Sequence, residues 1–179
     1  QSVPIAVTAF DSESLKVRQI ETFSDLQFNT PNVSFSKANF TGTNFQIRGV
    51  GTTLVAASAD GGVGILVNDV PLNQPRLFET EYYDVERIEI LRGPQGTLFG
   101  RNATAGIVNM HTAKPVLGEF MGSAEFEYGN YDSTRVEGML NIPIGDKVAM
   151  RFAGNWVKRD GYTDNLVTGN KIDGRDSYS

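Results

Sequence analysis

The chain beyond residue 115 alternates apolar and polar positions with a period of two. Segments 119–129, 133–142 and 148–157 carry mostly apolar or small side chains at even positions and more polar ones at odd positions. Turn-forming residues at 129–132 and 143–146 separate the segments. Because successive side chains of a strand point to opposite faces, the pattern predicts three antiparallel strands that share one apolar face.

The first 115 residues show short apolar runs separated by glycine-rich connections, which predicts several small strands in one domain. The predicted strands lie at 3–7, 45–47, 64–67, 87–91 and 107–110. Asn68 and Asp69 are expected to turn the chain back between two strands, and Gly93-Pro94 to end another.

Two short helices are expected near the amino terminus. Asp11 can cap a helix that continues through Val17. Thr22 and Asp25 resemble a capping box ahead of a second helix, which Pro31 would end. The predicted fold is therefore an α+β domain at 1–115, followed by antiparallel β-strands at 116–179.

Composition excludes several classes of function. The net charge is −5 and basic residues are not clustered, so no nucleic-acid partner is expected. The chain has no cysteine and one histidine, His111, which argues against thiol catalysis and the usual zinc sites. No cofactor or metal is expected.

The alternating segments match the about 9 to 11 residues of a transmembrane β-strand, with aromatic residues near the ends, among them Trp156 as an interfacial residue. A soluble antiparallel sheet with one wet face gives the same alternation and remains an alternative. Three strands cannot close, and residues 176–178 read as the start of another strand, so further strands are expected downstream.

Two long motifs carry a family resemblance. Residues 45–49 (FQIRG) and 85–103 (VERIEILRGPQGTLFGRNA) resemble the plug of TonB-dependent outer-membrane receptors. Shorter matches follow in the family's order at 4–8, 30–33, 67–71 and 105–109, and at 129–131 and 159–162 in the strand region.

The resemblance implies a plug domain at 1–115 inside a barrel of about 22 strands in the cell outer membrane, of which 116–179 supplies the first three or so. It implies active uptake of a scarce nutrient, with an iron–siderophore complex as the expected cargo and cobalamin or an oligosaccharide as alternatives. The implied partners are the inner-membrane TonB complex, outer-membrane lipid and the missing barrel strands of the same chain.

The resemblance also implies roles for single residues. Arg48 and Arg92 match family positions that face acidic barrel residues, and guanidinium groups pair well with carboxylates. Their partners are expected on missing strands, so both arginines are expected to be unpaired in this chain. A ligand-facing plug surface is predicted at Arg76, Phe78, Tyr82 and Tyr83, although hairpin packing explains these residues equally well.

Two other functions are carried as alternatives. A soluble periplasmic or surface module could bind ligand without transport, but the apolar strand faces argue against it. An enzyme would need a converging acid/base pair, for which Glu86 and Glu89 are the nearest candidates. Three positions apart on a strand, they are expected to face opposite sides and not to cooperate.

Overall fold

The computed structural model describes residues 6–37, 43–51, 61–72, 81–100, 103–164, 171–172 and 174–178. The chain divides into two compact units, Gln1–Ala113 and Lys114–Ser179. The division falls just ahead of the position expected from the sequence. Within the described ranges, none of the helices has the length and apolar character needed to cross a membrane.

The first unit is an α+β domain that contains two sheets. Its elements are β1 (Ala6–Asp11), α1 (Ser12–Val17), α2 (Leu26–Asn29), β2 (Val33–Lys37), β3 (Thr43–Ile47), β4 (Val50–Gly51), β5 (Val63–Val67), β6 (Val70–Pro71), β7 (Val85–Arg92), α3 (Gly96–Phe99) and β8 (Gly106–Thr112). One sheet has the strand order β1-β7-β8-β5-β6, with β5 and β8 parallel and the other pairs antiparallel. The other sheet has the order β2-β3-β4.

The main core of this unit includes one face of the five-stranded sheet. Ile88, Ile90 and Val108 are fully buried there and cluster with Leu26 of α2 and Ile47 of β3. Full burial of each such side chain contributes about 1.5–3 kcal/mol to folding. This core therefore joins the helices and the smaller sheet to the larger one.

The helix that the sequence placed after Asp11 is confirmed. α1 starts at Ser12, and the Asp11 Oδ1 atom accepts a hydrogen bond from the Ser14 N–H at 2.8 Å. Hydrogen bonds from Ser14 also hold the pKa of Asp11 below its ordinary value. The carboxylate thus supplies an acceptor for an N–H that the helix itself leaves unpaired.

The second helix is shorter than the pattern suggested. α2 covers only Leu26–Asn29, and the side chain of its N-cap residue, Asp25, makes no hydrogen bond to the helix. Its Oδ2 atom accepts hydrogen bonds from the N–H groups of Thr22 at 2.7 Å and Glu21 at 3.1 Å. Half of the expected capping box is therefore present, but it holds a turn ahead of the helix.

The second unit is built around a four-stranded antiparallel sheet. Its elements are β9 (Met121–Gly129), β10 (Ser133–Ile144), β11 (Val148–Arg159), β12 (Thr163–Asp164), β13 (Lys171–Ile172) and β14 (Arg175–Tyr178). The sheet order is β14-β11-β10-β9, and β12 pairs with β13 separately. The three predicted strands are present, and the strand expected at 176–178 pairs with the end of β11.

The boundary expected between the second and third of these strands was wrong by two residues. β10 continues through Pro143, which lies opposite Ala149 of β11, and the turn follows at 145–147. Pro143 lacks a backbone donor, but β9 pairs with β10 only as far as Asn141. The proline therefore lies beyond the β9 ladder and breaks no bond of that pair.

The apolar side chains of this sheet share one exposed face, as the period of two predicted. Cross-strand rows bring Phe126, Val136, Trp156 and Tyr178 together, and Leu140 lies opposite Phe152 in a further row. These side chains are all exposed, Phe152 by 56%. A contiguous exposed apolar surface of this kind marks an interaction site on a protein.

Candidate functional site

Arg92 is the last residue of β7, and its guanidinium group makes two hydrogen bonds within the first unit. Nη1 donates to the Pro31 carbonyl oxygen and Nη2 donates to the Thr8 hydroxyl, both at 3.2 Å. Nε is buried and has no hydrogen-bond partner among the described residues. Both acceptors are neutral groups on other segments, so the guanidinium group is hydrogen-bonded within this unit but contacts no carboxylate among the described residues.

Arg48 lies in the two-residue turn between β3 and β4. Its φ of 55° and the φ of 76° at Gly49 are the left-handed values of a tight hairpin turn. Its N–H donates to the Asn32 carbonyl oxygen at 2.7 Å. The side chain is exposed, and within the described part of the chain no ion pair or side-chain hydrogen bond involves it.

The turn at Pro31 and Asn32 accepts hydrogen bonds from both arginines. Adjacent peptide carbonyls of this turn accept from the Arg92 side chain and from the Arg48 backbone. Segments 4–8 and 30–33 carry the family resemblance in sequence, and the structure gives Thr8 and Pro31 a further role as acceptors for Arg92.

Gly106 allows β3 to approach the β7–β8 pair closely. It lies opposite Arg92 in the β7–β8 pair, with φ at 150°. A Cβ atom there would overlap the Leu91 carbonyl oxygen and lie 2.9 Å from the Ile47 Cδ1 atom. Ile47, the residue before Arg48, can thus approach the β7–β8 pair closely because position 106 has no side chain.

Tyr82 is in the core of the first unit. It is 8% exposed, and its ring packs edge-on against Phe23 with centroids 6.3 Å apart. Burial, with a smaller effect from the charge of Asp25, raises the pKa of Tyr82 well above its ordinary value. This position supports the packing alternative for Tyr82 and not a ligand-facing surface. Tyr83 is half-buried, and Arg76 and Phe78 lie outside the described residues.

Glu86 and Glu89 do not face opposite sides as expected. A register shift between Val85 and Arg87 displaces Glu86, and both carboxylates contact Arg87. The Arg87 Nη1 and Nε atoms lie 2.8 Å and 2.7 Å from Glu86 and Glu89 respectively. Hydrogen bonding and charge from these groups raise the pKa of Arg87. The two carboxylates therefore form an ion-pair cluster on the sheet.

His111 is buried beside this cluster. It lies opposite Arg87 in the β7–β8 pair, and its Nε2 atom is 3.7 Å from the Glu89 Oε2 atom. That distance is too long for a hydrogen bond. No group of three or more His, Cys, Asp or Glu side chains within the described ranges could hold a metal ion.

In the second unit, a buried amide not singled out by the sequence ties the chain ahead of β9 to β10. Asn141 Oδ1 accepts from the Val116 N–H at 2.9 Å. Its Nδ2 donates to the carbonyl oxygens of Val116 at 2.9 Å and Glu119 at 2.7 Å. The sequence signal was a polar residue inside an otherwise apolar stretch of strand, at 140–144.

The ends of the strands near the β9–β10 turn carry an aromatic group. Tyr131 has a φ of 62°, and its carbonyl oxygen accepts from the Asp160 N–H at 2.9 Å. The rings of Tyr131 and Tyr162 are 6.2 Å apart, and the Arg159 guanidinium lies 5.0 Å from the Tyr162 ring. The segments at 129–131 and 159–162, matched separately in sequence, therefore contact each other.

Comparison with known proteins identifies the family. Residues 1–107 match the TonB-dependent Receptor Plug Domain. The chain is 25% identical to an iron-regulated outer membrane virulence protein of Vibrio cholerae, over 89% of this chain and 26% of that protein. It is 22% identical to the vitamin B12 transporter BtuB of Vibrio vulnificus, over 93% of this chain and 27% of that protein.

A solved structure shows the same arrangement of elements. The ferric yersiniabactin uptake receptor FyuA from Yersinia pestis matches with a TM-score of 0.82 and 26% identity, covering 95% of this chain and 27% of that one. The chain thus spans about a quarter of the length of these relatives. It belongs to the TonB-dependent receptors of the outer membrane, with their plug domain followed by antiparallel strands of an unclosed partial barrel.

Proposed function

We propose that the protein imports an iron–siderophore complex across the outer membrane in a TonB-dependent manner, with the first unit gating the barrel lumen. The names of an iron-regulated relative and of the ferric yersiniabactin receptor support iron as the cargo. The vitamin B12 transporter among the relatives makes cobalamin the alternative cargo to be tested.

The exposed apolar face of the second unit supports a membrane-spanning role. Along β10, the apolar rows run from Val136 to Ile144. At about 3.3 Å per residue this distance is roughly 26 Å, and a tilt of about 40° reduces its height to roughly 20 Å. Outer-membrane barrels have an outward apolar band about 25 Å tall. A soluble ligand-binding module would leave this face in water.

The guanidinium group of Arg92, whose two acceptors among the described residues are both neutral, is the observation that best supports a contact between plug and barrel. Each Nη atom carries a second N–H beyond the one it donates to Pro31 or Thr8. A carboxylate from another part of the barrel that reaches these N–H groups would form the strong charge-assisted pair typical of arginine. We extend the same role to Arg48, whose exposed side chain is available for such a partner.

The experiment is uptake by cells that express the full-length receptor and lack their own siderophore receptors. Radioactive iron bound to a panel of siderophores and labelled cobalamin are offered in parallel, in strains with and without TonB. We expect one iron chelate to enter only when TonB is present. Cobalamin uptake would change the cargo, and entry independent of TonB, or no binding of either class, would contradict the proposal.

A further inference from the structure

We propose that Thr8 is a positioning residue for Arg92, and that it couples the amino-terminal end of β1 to the contact between plug and barrel. The functional part of this inference rests on the proposed function, which gives Arg92 that contact. The structural part, a single hydrogen bond that fastens β1 and orients the guanidinium, can be tested separately.

The topology gives the Thr8–Arg92 contact its importance. β1 is an edge strand of the five-stranded sheet and its sheet neighbour is β7. The antiparallel register places Ala6 opposite Arg92 and Thr8 opposite Ile90. Thr8 and Arg92 are therefore diagonal neighbours on one face, within reach of a long side chain. The bond lies at the end of the strand pair where β1 begins.

Two bonds from different segments fix the plane of the guanidinium group. Thr8 holds Nη2 from β1, and the Pro31 carbonyl holds Nη1 from the turn after α2. With both ends held, the remaining Nη N–H groups have fixed directions in which to meet an outside acceptor. Loss of the Thr8 hydroxyl would leave one anchor and allow the guanidinium to turn about the remaining bond.

The coupling works in both directions, as thermodynamic linkage requires. When the first residues of β1 leave the sheet, Arg92 loses one of its two anchors and its fixed orientation. When an outside carboxylate holds the guanidinium in that orientation, it also favours the Thr8 bond at the beginning of β1. Displacement of β1 and loosening of Arg92 therefore favour each other.

The test compares Thr8→Val and Thr8→Ser in the full-length receptor purified in detergent, by hydrogen exchange of the peptide that covers residues 6–11. Valine suits a strand better than serine but lacks the hydroxyl. We expect Thr8→Val to speed exchange about fivefold, the effect of losing one ordinary hydrogen bond, and Thr8→Ser to remain within about twofold of the wild type. If strand preference alone mattered, serine would be the faster variant.

Three further variants sharpen the result. Arg92→Gln and the double variant with Thr8→Val should both match Thr8→Val, since residues that act through one bond are not additive. Arg87→Gln is the control on the same strand, because Arg87 contacts Glu86 and Glu89 of β7 and lies opposite the far end of β1. It should leave exchange at residues 6–8 of this peptide unchanged, since the residue opposite Arg87 is Asp11 at the other end.

Unchanged exchange in Thr8→Val, or additive effects in the double variant, would overturn the inference whatever the uptake assay shows. Uptake is measured on the same variants and reports on the proposed function separately. If Thr8→Val speeds exchange while Arg92→Gln imports normally, the hydrogen bond stands and the transport role assigned to Arg92 falls. The expected result is reduced uptake in both Thr8→Val and Arg92→Gln, with Thr8→Ser restored.

Discussion

Some side chains in the plug domain pack well in the core but also bury a polar atom that has no hydrogen-bond partner among the described residues. Tyr82 shows this most clearly, since its ring packs on Phe23 while its hydroxyl is buried without a partner among the described residues. The ring stabilises the core, and the hydroxyl has a desolvation cost that no hydrogen bond among the described residues offsets. The two parts of the side chain therefore have opposite effects on stability.

Tyr82→Phe is expected to leave the free energy of unfolding unchanged or to raise it by about 1 kcal/mol, because it removes only the unpaired hydroxyl. Tyr82→Ala should lower it by about 3–5 kcal/mol through the cavity it creates. Denaturant unfolding followed by circular dichroism measures both. A loss of stability in Tyr82→Phe would show that the hydroxyl has a partner in the folded protein.

The same tyrosine predicts a dependence on alkaline pH. Because burial raises the folded pKa of Tyr82, its neutral form is favoured in the fold. The stability this provides is fully present below the unfolded pKa of about 10 and is lost as pH rises through the higher folded pKa. Wild-type protein should therefore lose more stability above about pH 10 than Tyr82→Phe. Parallel pH profiles of the two proteins would contradict this.

At the scale of elements, Gly106 decides how closely β3 can approach the β7–β8 pair. Gly106→Ala is expected to lower the free energy of unfolding by more than about 2 kcal/mol, since the new Cβ would collide with the Leu91 carbonyl and Ile47. Gly96→Ala, in α3 with open space around it, is the control and should be neutral or slightly stabilising. Equal thermal midpoints for the two variants would argue against the close approach.

In the second unit, the Asn141 amide holds residues 116–119 against β10. Asn141→Leu should release this segment, because three hydrogen bonds are lost at a buried site. Limited proteolysis of the full-length receptor should then cut between 114 and 120 several times faster. Asn155→Leu is the control, since the Asn155 Oδ1 atom is buried without a partner in the described residues. Equal cleavage in both variants would contradict the role of Asn141.

The sequence predicted those elements whose signals are local. The cap at Asp11, the turn at Asn68 and Asp69 and the alternating strands each depend on neighbouring residues, and each is present. The register shift near Glu86 has no such signal, so the prediction that Glu86 and Glu89 lie on opposite faces was wrong. Arg92 could be selected from its motif, but its anchors lie 61 and 84 positions away. Only the folded chain brings them together.

For the molecule as a whole, we expect an added charge to weaken folding into a membrane on one face of the second unit and not on the other. Phe152→Arg, on the exposed apolar face, should weaken folding of the full-length receptor into lipid vesicles by about 2–4 kcal/mol if that face meets the bilayer midplane. Ala153→Arg places the same charge on the other face of the same strand and should have little effect. Gel mobility with and without heating reports whether the receptor is folded, and urea titration in vesicles measures the change in folding free energy. Similar losses for both variants would argue against a lipid-facing surface.

The turn at Pro31 and Asn32 offers the arginines only main-chain carbonyls. Every amino acid carries that acceptor, so the contact itself does not depend on the side chains at this turn, although the φ of 61° at Asn32 favours asparagine or glycine there. Position 8 has no such freedom, because its acceptor is a side-chain hydroxyl. Among natural variants of this protein we therefore expect changes at position 8 to be confined to serine, or to occur together with a change at Arg92.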